Sequence, residues 1–380
     1  MAIKQRDPTV QITIFHDRPF QSILSRGIAG LFRISQPTPI LRLYGNETFV
    51  HLAELWRTLG GFSGVQLLSG HIMSEDENLL RDQERAYGDI VYNFRFLSEE
   101  EKKSQFSSSH LDESSVIHYT AFTSEGAKYC PWMKKELIEK GVDFVQRKID
   151  NLDELADEGF EIVVNCAGLD GGRLAGIPDD TFPIRGILLK VDAPWQKHFL
   201  FRNFTTFTIP TIDAVYVGTV KEDYEDSMTI TKNETNKLWC RYLSLQPTFK
   251  NVKVLDHFVG LRPGRSSVRV EAETRTTENG TKYKFLRALL GNVWSCVVHE
   301  EKNFFSFWVA TSQDSGTFSS WLQKKSESTI DPVGTSSQKT EPVMSHQEES
   351  SSFLSCCLSF DCGSGSSSKS TQCLRRTALS

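Results

Sequence analysis

Along the first 180 residues the apolar positions switch between a period of two and a period near 3.6. Val10–Phe15, "VQITIF", reads as a short strand that ends at "HDRPF", where Pro19 stops it. Phe49–Leu59, "FVHLAELWRTL", has apolar residues at helical spacing and is closed by Gly60 and Gly61. "GVQLLSGHIMS" and "SVIHYTAFT" predict strands on either side of a polar, charge-rich stretch. Glu125–Lys140 then predicts an amphipathic helix, "VDFVQRKI" a strand and Asn151–Glu158 a helical turn. Ile162–Val164 predicts a buried strand running into a loop with four glycines. The order β–α–β–α–β from Thr123 to Gly168 predicts a parallel, doubly wound α/β sheet.

Past Gly176 the pattern becomes β-rich: "FPIRGILLKVDAPW", "FTTFTIP", "DAVYVGTV", "VKVLDHFVGL" and "SSVRVEAE", with one helix, "ETNKLWCRYLSL", among them. Such a run predicts a second, mostly antiparallel layer. Beyond Ser312 the pattern fades, and ten of the 21 residues from Ser350 to Ser370 are serine, too few apolar groups to offset the entropy of ordering. A disordered tail over 313–380 is the expectation.

Composition narrows the classes. Apolar residues at 39% and charged residues at 24% suit a globular chain, and 380 residues suffice for two cores. A net charge of −5 argues against nucleic acid or an anionic membrane as partner. No apolar run reaches the roughly 20 residues of a spanning helix, and "MAIKQRDPTVQITIF" has no signal-peptide core, so the expected compartment is the cytoplasm. The Asn-x-Thr sequons at Asn46, Asn203, Asn233 and Asn279 would then stay unmodified. Cys130, Cys166, Cys240 and Cys296 read as buried thiols of a reduced compartment. Cys356, Cys357, Cys362 and Cys373 lie in the tail without a common zinc spacing, and no metal site is expected.

Three stretches carry candidate chemistry. Gly168, Gly171, Gly172 and Gly176 follow the buried strand and allow close backbone approach to a phosphate or adenine, although G-x-x-G-G by itself reads first as a plain strand-to-helix turn. In "HDRPF", Asp17 stands where an acid grips a nucleotide ribose and Arg18 could reach a phosphate oxygen; with no glycine loop before it, the pair reads equally as a surface turn. In "HFVGLRPGRSSVRVE", Arg262 precedes Pro263 and can offer a carboxylate a bidentate guanidinium, or a structural ion pair; Arg265 and Arg269 read as solvated.

The block from Asp143 to Phe199 and the segment "GLRPGRSSVRVE" closely resemble the D-amino-acid oxidase family, nearest its D-aspartate oxidase branch, and the resemblance runs from about Val10 to Thr281. It implies an FAD-binding α/β domain, 9–60 with 123–178, interleaved with an antiparallel substrate domain, 61–122 with 179–283. A divergent segment, 284–312, and the tail would follow. It also implies oxidative deamination of a D-amino acid by FAD and O2, giving a 2-oxo acid, ammonia and hydrogen peroxide. Positioning carries the rate and no catalytic side chain is expected. Residue by residue, Arg262 matches the arginine that clamps the α-carboxylate. Asp17 and Arg18 match residues around the adenosine, and Ser25 and Gly30 a flavin-pocket segment. Ile149 falls beside the adenine, and Ala167 and Gly168 under the cofactor. Phe207 stands where the family has a substrate-holding tyrosine, and Lys221 and Arg202 are candidates for reading a side-chain carboxylate.

The chain departs from the family at three places. The G-x-G-x-x-G turn that normally holds the FAD pyrophosphate occurs nowhere in it, so a central strand is expected to be missing from the parallel sheet, with its apolar neighbours exposed. Lys282–Trp308 lacks the family's His- and Gly-rich closing segment, and Thr211 and Thr219 replace usual glycines. Two readings stand side by side: an oxidase of acidic D-amino acids, or a catalytically incomplete member, such as a splice form, acting at most as a binding or interaction protein. Family members often end in a peroxisomal tripeptide; Ala378–Leu379–Ser380 is not one.

Overall fold

The computed structural model describes residues 1–106, 114–177, 179–266, 269–289 and 307–311, all within the unit Met1–Pro332. In chain order it forms α1 (Ala2–Arg6), β1 (Ile12–His16), β2 (Ala29–Leu31), α2 (Pro39–Leu59), β3 (Val65–Ser74), α3 (Glu77–Tyr87), β4 (Tyr92–Phe96), α4 (Glu99–Gln105) and β5 (Ser115–Glu125). Next come α5 (Gly126–Glu139), β6 (Val142–Gln146), α6 (Asp153–Asp157), β7 (Ile162–Cys166), α7 (Gly171–Leu174), β8 (Phe182–Asp192), β9 (Phe199–Arg202), β10 (Thr206–Pro210), β11 (Val215–Gly218) and β12 (Glu222–Asp223). The chain continues with α8 (Lys232–Leu245), β13 (Lys253–Gly264), β14 (Arg269–Thr276), β15 (Lys282–Leu289) and β16 (Phe307–Thr311). The tail expected to be disordered, with its four cysteines, lies outside the described residues, as does Cys296.

Local chemistry explains the helices. Thr38 caps α2 by accepting from the Leu41 N–H, Pro39 opens its first turn, and Gly60 at φ +57° ends it. The polar stretch after β3 folds as α3, with its N-terminus capped by Asp76 and its exposed face laced by the Glu77–Arg81 pair at 2.8 Å. A full capping box, Ser98 with Glu101, starts α4. No described helix is long and apolar enough to cross a membrane.

Two sheets organise the rest. The first runs β14-β15-β7-β16-β1-β6, and the second, ten-stranded, runs β12-β8-β11-β10-β9-β3-β5-β2 with β13 on β8 and β4 on β5. β6 is parallel to β1 and β15 to β7, whereas β16 lies antiparallel between β1 and β7, pairing Val309 with both Ile14 and Val164.

The mixed α/β architecture agrees with expectation, but three details differ. β5 pairs antiparallel with β3 along ten residues, so it belongs to the second sheet, and the expected β–α–β–α–β run crosses from one sheet to the other through α5. The hairpin β14–β15 joins the first sheet although the substrate region was expected to extend to 283, because Tyr283 and Phe285 complete the core around Leu155 and Val163. The neighbours of the expected missing strand are not exposed: β16 covers them, with Ile12 and Ile14 at 6% and 7% exposure and Val163 at 0%. Strand pairing satisfies both flanking backbones whichever way the inserted strand runs.

Candidate functional site

β1, β6 and β7 point the same way, so their C-terminal ends share one edge of the first sheet. Asp17 and Arg18 leave β1 there, Ile149 follows β6, and Ala167 and Gly168 follow β7. Arg18 donates to both oxygens of Asp17 at 2.9 Å from Nε, and these hydrogen bonds hold the Asp17 carboxyl below the usual range. Asp170, in the loop after β7, also acts on the Arg18 charge. Gly168 adopts φ +61°, and the buried Asn165 braces the loop by donating to Gly171 O at 2.8 Å and accepting from the Ala167 N–H at 3.1 Å. The Ile149 side chain, 2% exposed, packs with Leu152 and Leu155, which leaves only its backbone for any contact at this edge.

On the second sheet, residues alternating along β8, β11, β10 and β13 share one face. Arg262 on β13 extends across Gly186 on β8: a Cβ there would stand 2.5 Å from its Nη2, which donates to Arg185 O at 3.2 Å and to Val220 O at 3.4 Å. Beside it, Gly218 makes room for Leu188 and for the ring of Phe207, which would lie 2.5 and 2.6 Å from an added Cβ. The segment Leu24–Gly27 crosses the same face, Leu24 against Gly260 and Gly27 against Phe258. Ser25, 2% exposed, is thereby carried onto the Arg262 face, and its carbonyl comes close enough to Gly126 to exclude any side chain there, whereas the buried Gly30 lies on β2, paired with Ser124 of β5. At the end of β5, Glu125 is 1% exposed, its Oε2 has no hydrogen-bond partner among the described residues, and burial, then Asp213, raises its carboxyl above the usual range.

The structure therefore brings Arg262, Phe207 and the segment carrying Ser25 together, leaves Gly30 on β2 at the other end of the second sheet's strand order, and gathers Asp17, Arg18, Ile149, Ala167 and Gly168 at one edge. Lys221 follows Val220 but pairs with Asp223 at 3.3 Å. Arg202 lies on the opposite face: Phe201 before it stacks on Phe207, while the Arg202 guanidinium donates to Ser244 on α8 at 2.9 Å. Arg265, expected to be solvated, is 12% exposed and bridges Asp179 and Asp180 at 2.9 and 2.7 Å; two acids meet it where β13 ends. Of the thiols expected to be buried, Cys130 is, Cys166 is half-buried and Cys240 is exposed. Among the described residues no cluster of His, Cys, Asp or Glu could hold a metal. The single glycines inside "PIRGILL" and "FVGLR", a signal of close approach in strands, would have pointed to Gly186 and Gly260. Arg33, a lone cation in "GLFRI", carries no local signal of a site.

For FAD, the described residues fit the two ends of the cofactor. An ionised acid and a left-handed glycine stand at parallel strand ends, and a glycine-floored face lies against the Leu24–Gly27 segment. They do not fit its middle: between β1 and β7 stands antiparallel β16, and no strand–glycine turn–helix unit occupies that place among the described residues.

Residues 20–283 match the family described as "DAO: FAD dependent oxidoreductase". The chain is 47% identical to D-aspartate oxidase 2 of Caenorhabditis briggsae, covering 74% of this chain and 85% of the relative. It is 44% identical to D-aspartate oxidase 1 of Caenorhabditis elegans, over 74% and 84%. The fold is shared with glycine oxidase from Geobacillus kaustophilus (TM-score 0.60, 13% identity, 74% and 83% covered) and L-amino acid deaminase from Proteus vulgaris (TM-score 0.58, 12% identity, 76% and 85% covered). With most of its folded region matched at that identity, the chain belongs to the DAO family of FAD-dependent oxidoreductases, an enzyme family that includes its D-aspartate oxidase relatives, and FAD is its cofactor.

Proposed function

We propose that this chain oxidises acidic D-amino acids, D-aspartate first, to the 2-oxo acid and ammonia, with O2 reduced to hydrogen peroxide and water consumed. The observation that carries the reading is Arg262 laid across Gly186 on an apolar face beside Phe207. A guanidinium there takes the α-carboxylate in bidentate fashion, and Phe207 and Leu188 keep water from the α-carbon. FAD, when bound, supplies the two-electron acceptor. Asp17 and Arg18 would hold its adenosine, the Ile149 backbone would meet its adenine side, Ala167–Gly168 would lie under the cofactor, and Ser25 and Gly30 would line its flavin pocket. Relatives named D-aspartate oxidases at 44–47% identity favour this reading over a non-catalytic one. The buried free thiol of Cys130 supports a reducing compartment, and we place the enzyme in the cytoplasm.

The visible absorption spectrum of the chain purified with excess FAD tests this. Protein-bound flavin bands that bleach on anaerobic addition of D-aspartate are expected. A folded protein without bound flavin, or a bound flavin that no D-amino acid bleaches, would overturn it.

A further inference from the structure

Arg33 lies two residues past β2 and is 5% exposed. Gln83 of α3 holds its guanidinium, Oε1 accepting from Nε at 3.2 Å and from Nη2 at 2.7 Å. The rings of Phe201 and Phe204 lie against it, their centroids 5.1 and 4.6 Å from Cζ. Its described partners are thus an amide oxygen, the Tyr87 hydroxyl and two rings, and none is a carboxylate. The other deeply buried arginines have carboxylates: Arg185 pairs with Glu222 and Glu234, and Arg287 with Glu271. A buried cation among neutral partners is strongly unfavourable unless a counter-charge arrives.

The position of Arg33 says where that counter-charge comes from. Phe201, under Arg33, stacks on Phe207 with centroids 5.1 Å apart, and Phe207 meets Gly218 and Leu188 on the face that Arg262 crosses. From Gly186 to Phe201 is three inter-strand steps, roughly 14 Å. Arg262 narrows the span by reaching toward Val220. A short dicarboxylate, held at each end by charge-assisted hydrogen bonds of about 2.8 Å, suits two guanidiniums facing one apolar floor.

Resting on the oxidase reading, we propose that Arg33 is the specificity-determining cation of this site: it binds the side-chain carboxylate of the acidic substrate while Arg262 takes the α-carboxylate. Arg202 faces away and Lys221 is engaged by Asp223, so neither expected reader competes for the role.

The test compares kcat/KM for D-aspartate and D-alanine in the wild-type holoenzyme, Arg33→Met and Arg33→Lys. The aspartate-to-alanine ratio is expected to fall about 100-fold in R33M, mostly through KM, and to recover in part in R33K. A binding readout stands apart from turnover: malonate, a dicarboxylate that cannot be oxidised here, raises the melting temperature of wild type but not of R33M. An unchanged ratio, or equal stabilisation of both proteins by malonate, overturns the proposal. If the wild type oxidises no D-amino acid, the oxidase reading fails, and the malonate comparison still decides Arg33. If R33M does not fold, Gln83→Leu, which keeps the charge and removes its fork partner, replaces it and is expected to raise the D-aspartate KM; an unchanged KM counts against the proposal.

Discussion

Nη2 of Arg262 occupies the space that a side chain on Gly186 would fill: an added Cβ would stand 2.5 Å away. Gly186→Ala therefore moves the guanidinium without removing it. The expected outcome is a loss of about 10-fold to 100-fold in kcat/KM with circular dichroism unchanged. Arg262→Met should lose more, about 1,000-fold, since charge-assisted hydrogen bonds contribute about 1.5–3 kcal/mol each. Steady-state kinetics on D-aspartate checks both, and a G186A enzyme as fast as wild type would remove Arg262 from the site.

β16 pairs with β1 on one side and β7 on the other, and Ala310 faces Thr13 and Val163. Proline at 310 removes a backbone donor and cannot fit the centre of a sheet. Ala310→Pro is expected to destabilise the first sheet by about 3 kcal/mol or more, read as a fall in the urea midpoint. A midpoint equal to wild type would mean that β16 does not hold β1 and β7 together.

His71 and His118 oppose each other on β3 and β5, with Nδ1 of His118 3.2 Å from Nε2 of His71. Burial, then His118, His198 and Arg95, push His71 down to about 4, with Glu101 acting the other way. Its folded value lies below the unfolded 6.5, so this contribution to stability is whole above pH 6.5 and is lost as pH falls toward 4. The loss amounts to at most about 3 kcal/mol. His71→Leu should flatten the denaturation midpoint between pH 7 and pH 4.5; an equally steep decline in the variant would count against the pair.

Glu125 shows the opposite sign. Its carboxyl is raised above 4.5 by burial first and Asp213 second, so the native state favours the protonated form and stability is lost as pH rises past 4.5. Glu125→Gln is expected to raise the melting temperature at pH 8 by about 2–4 °C and to do nothing at pH 4. Calorimetry at the two pH values decides it, and a uniform shift would indicate a packing effect instead.

Much of the site was legible because its signals are local. The glycine-rich turn after Ile162–Cys166, the Arg262–Pro263 strand and the "HDRPF" stop each declare their backbone in a few residues. Lys282–Leu289 was read only as divergence, since a strand of alternating polar and apolar residues says which face it buries but not which sheet it joins. Arg202 was misleading for a related reason: period two puts it opposite Phe201, and only the location of α8 shows which face lies away from Arg262.

By itself the sequence determined the strongly periodic elements, the glycine stop of α2 and the family, because periodicity, helix stops and short motifs act over a few neighbouring residues. Only the tertiary structure decided that β16 lies between β1 and β7 and that β5 belongs with β3. It alone showed that Arg33 is buried with no carboxylate among its described partners. Those facts depend on pairing and burial among residues distant along the chain, where many partners satisfy the same local pattern and the packed core selects one.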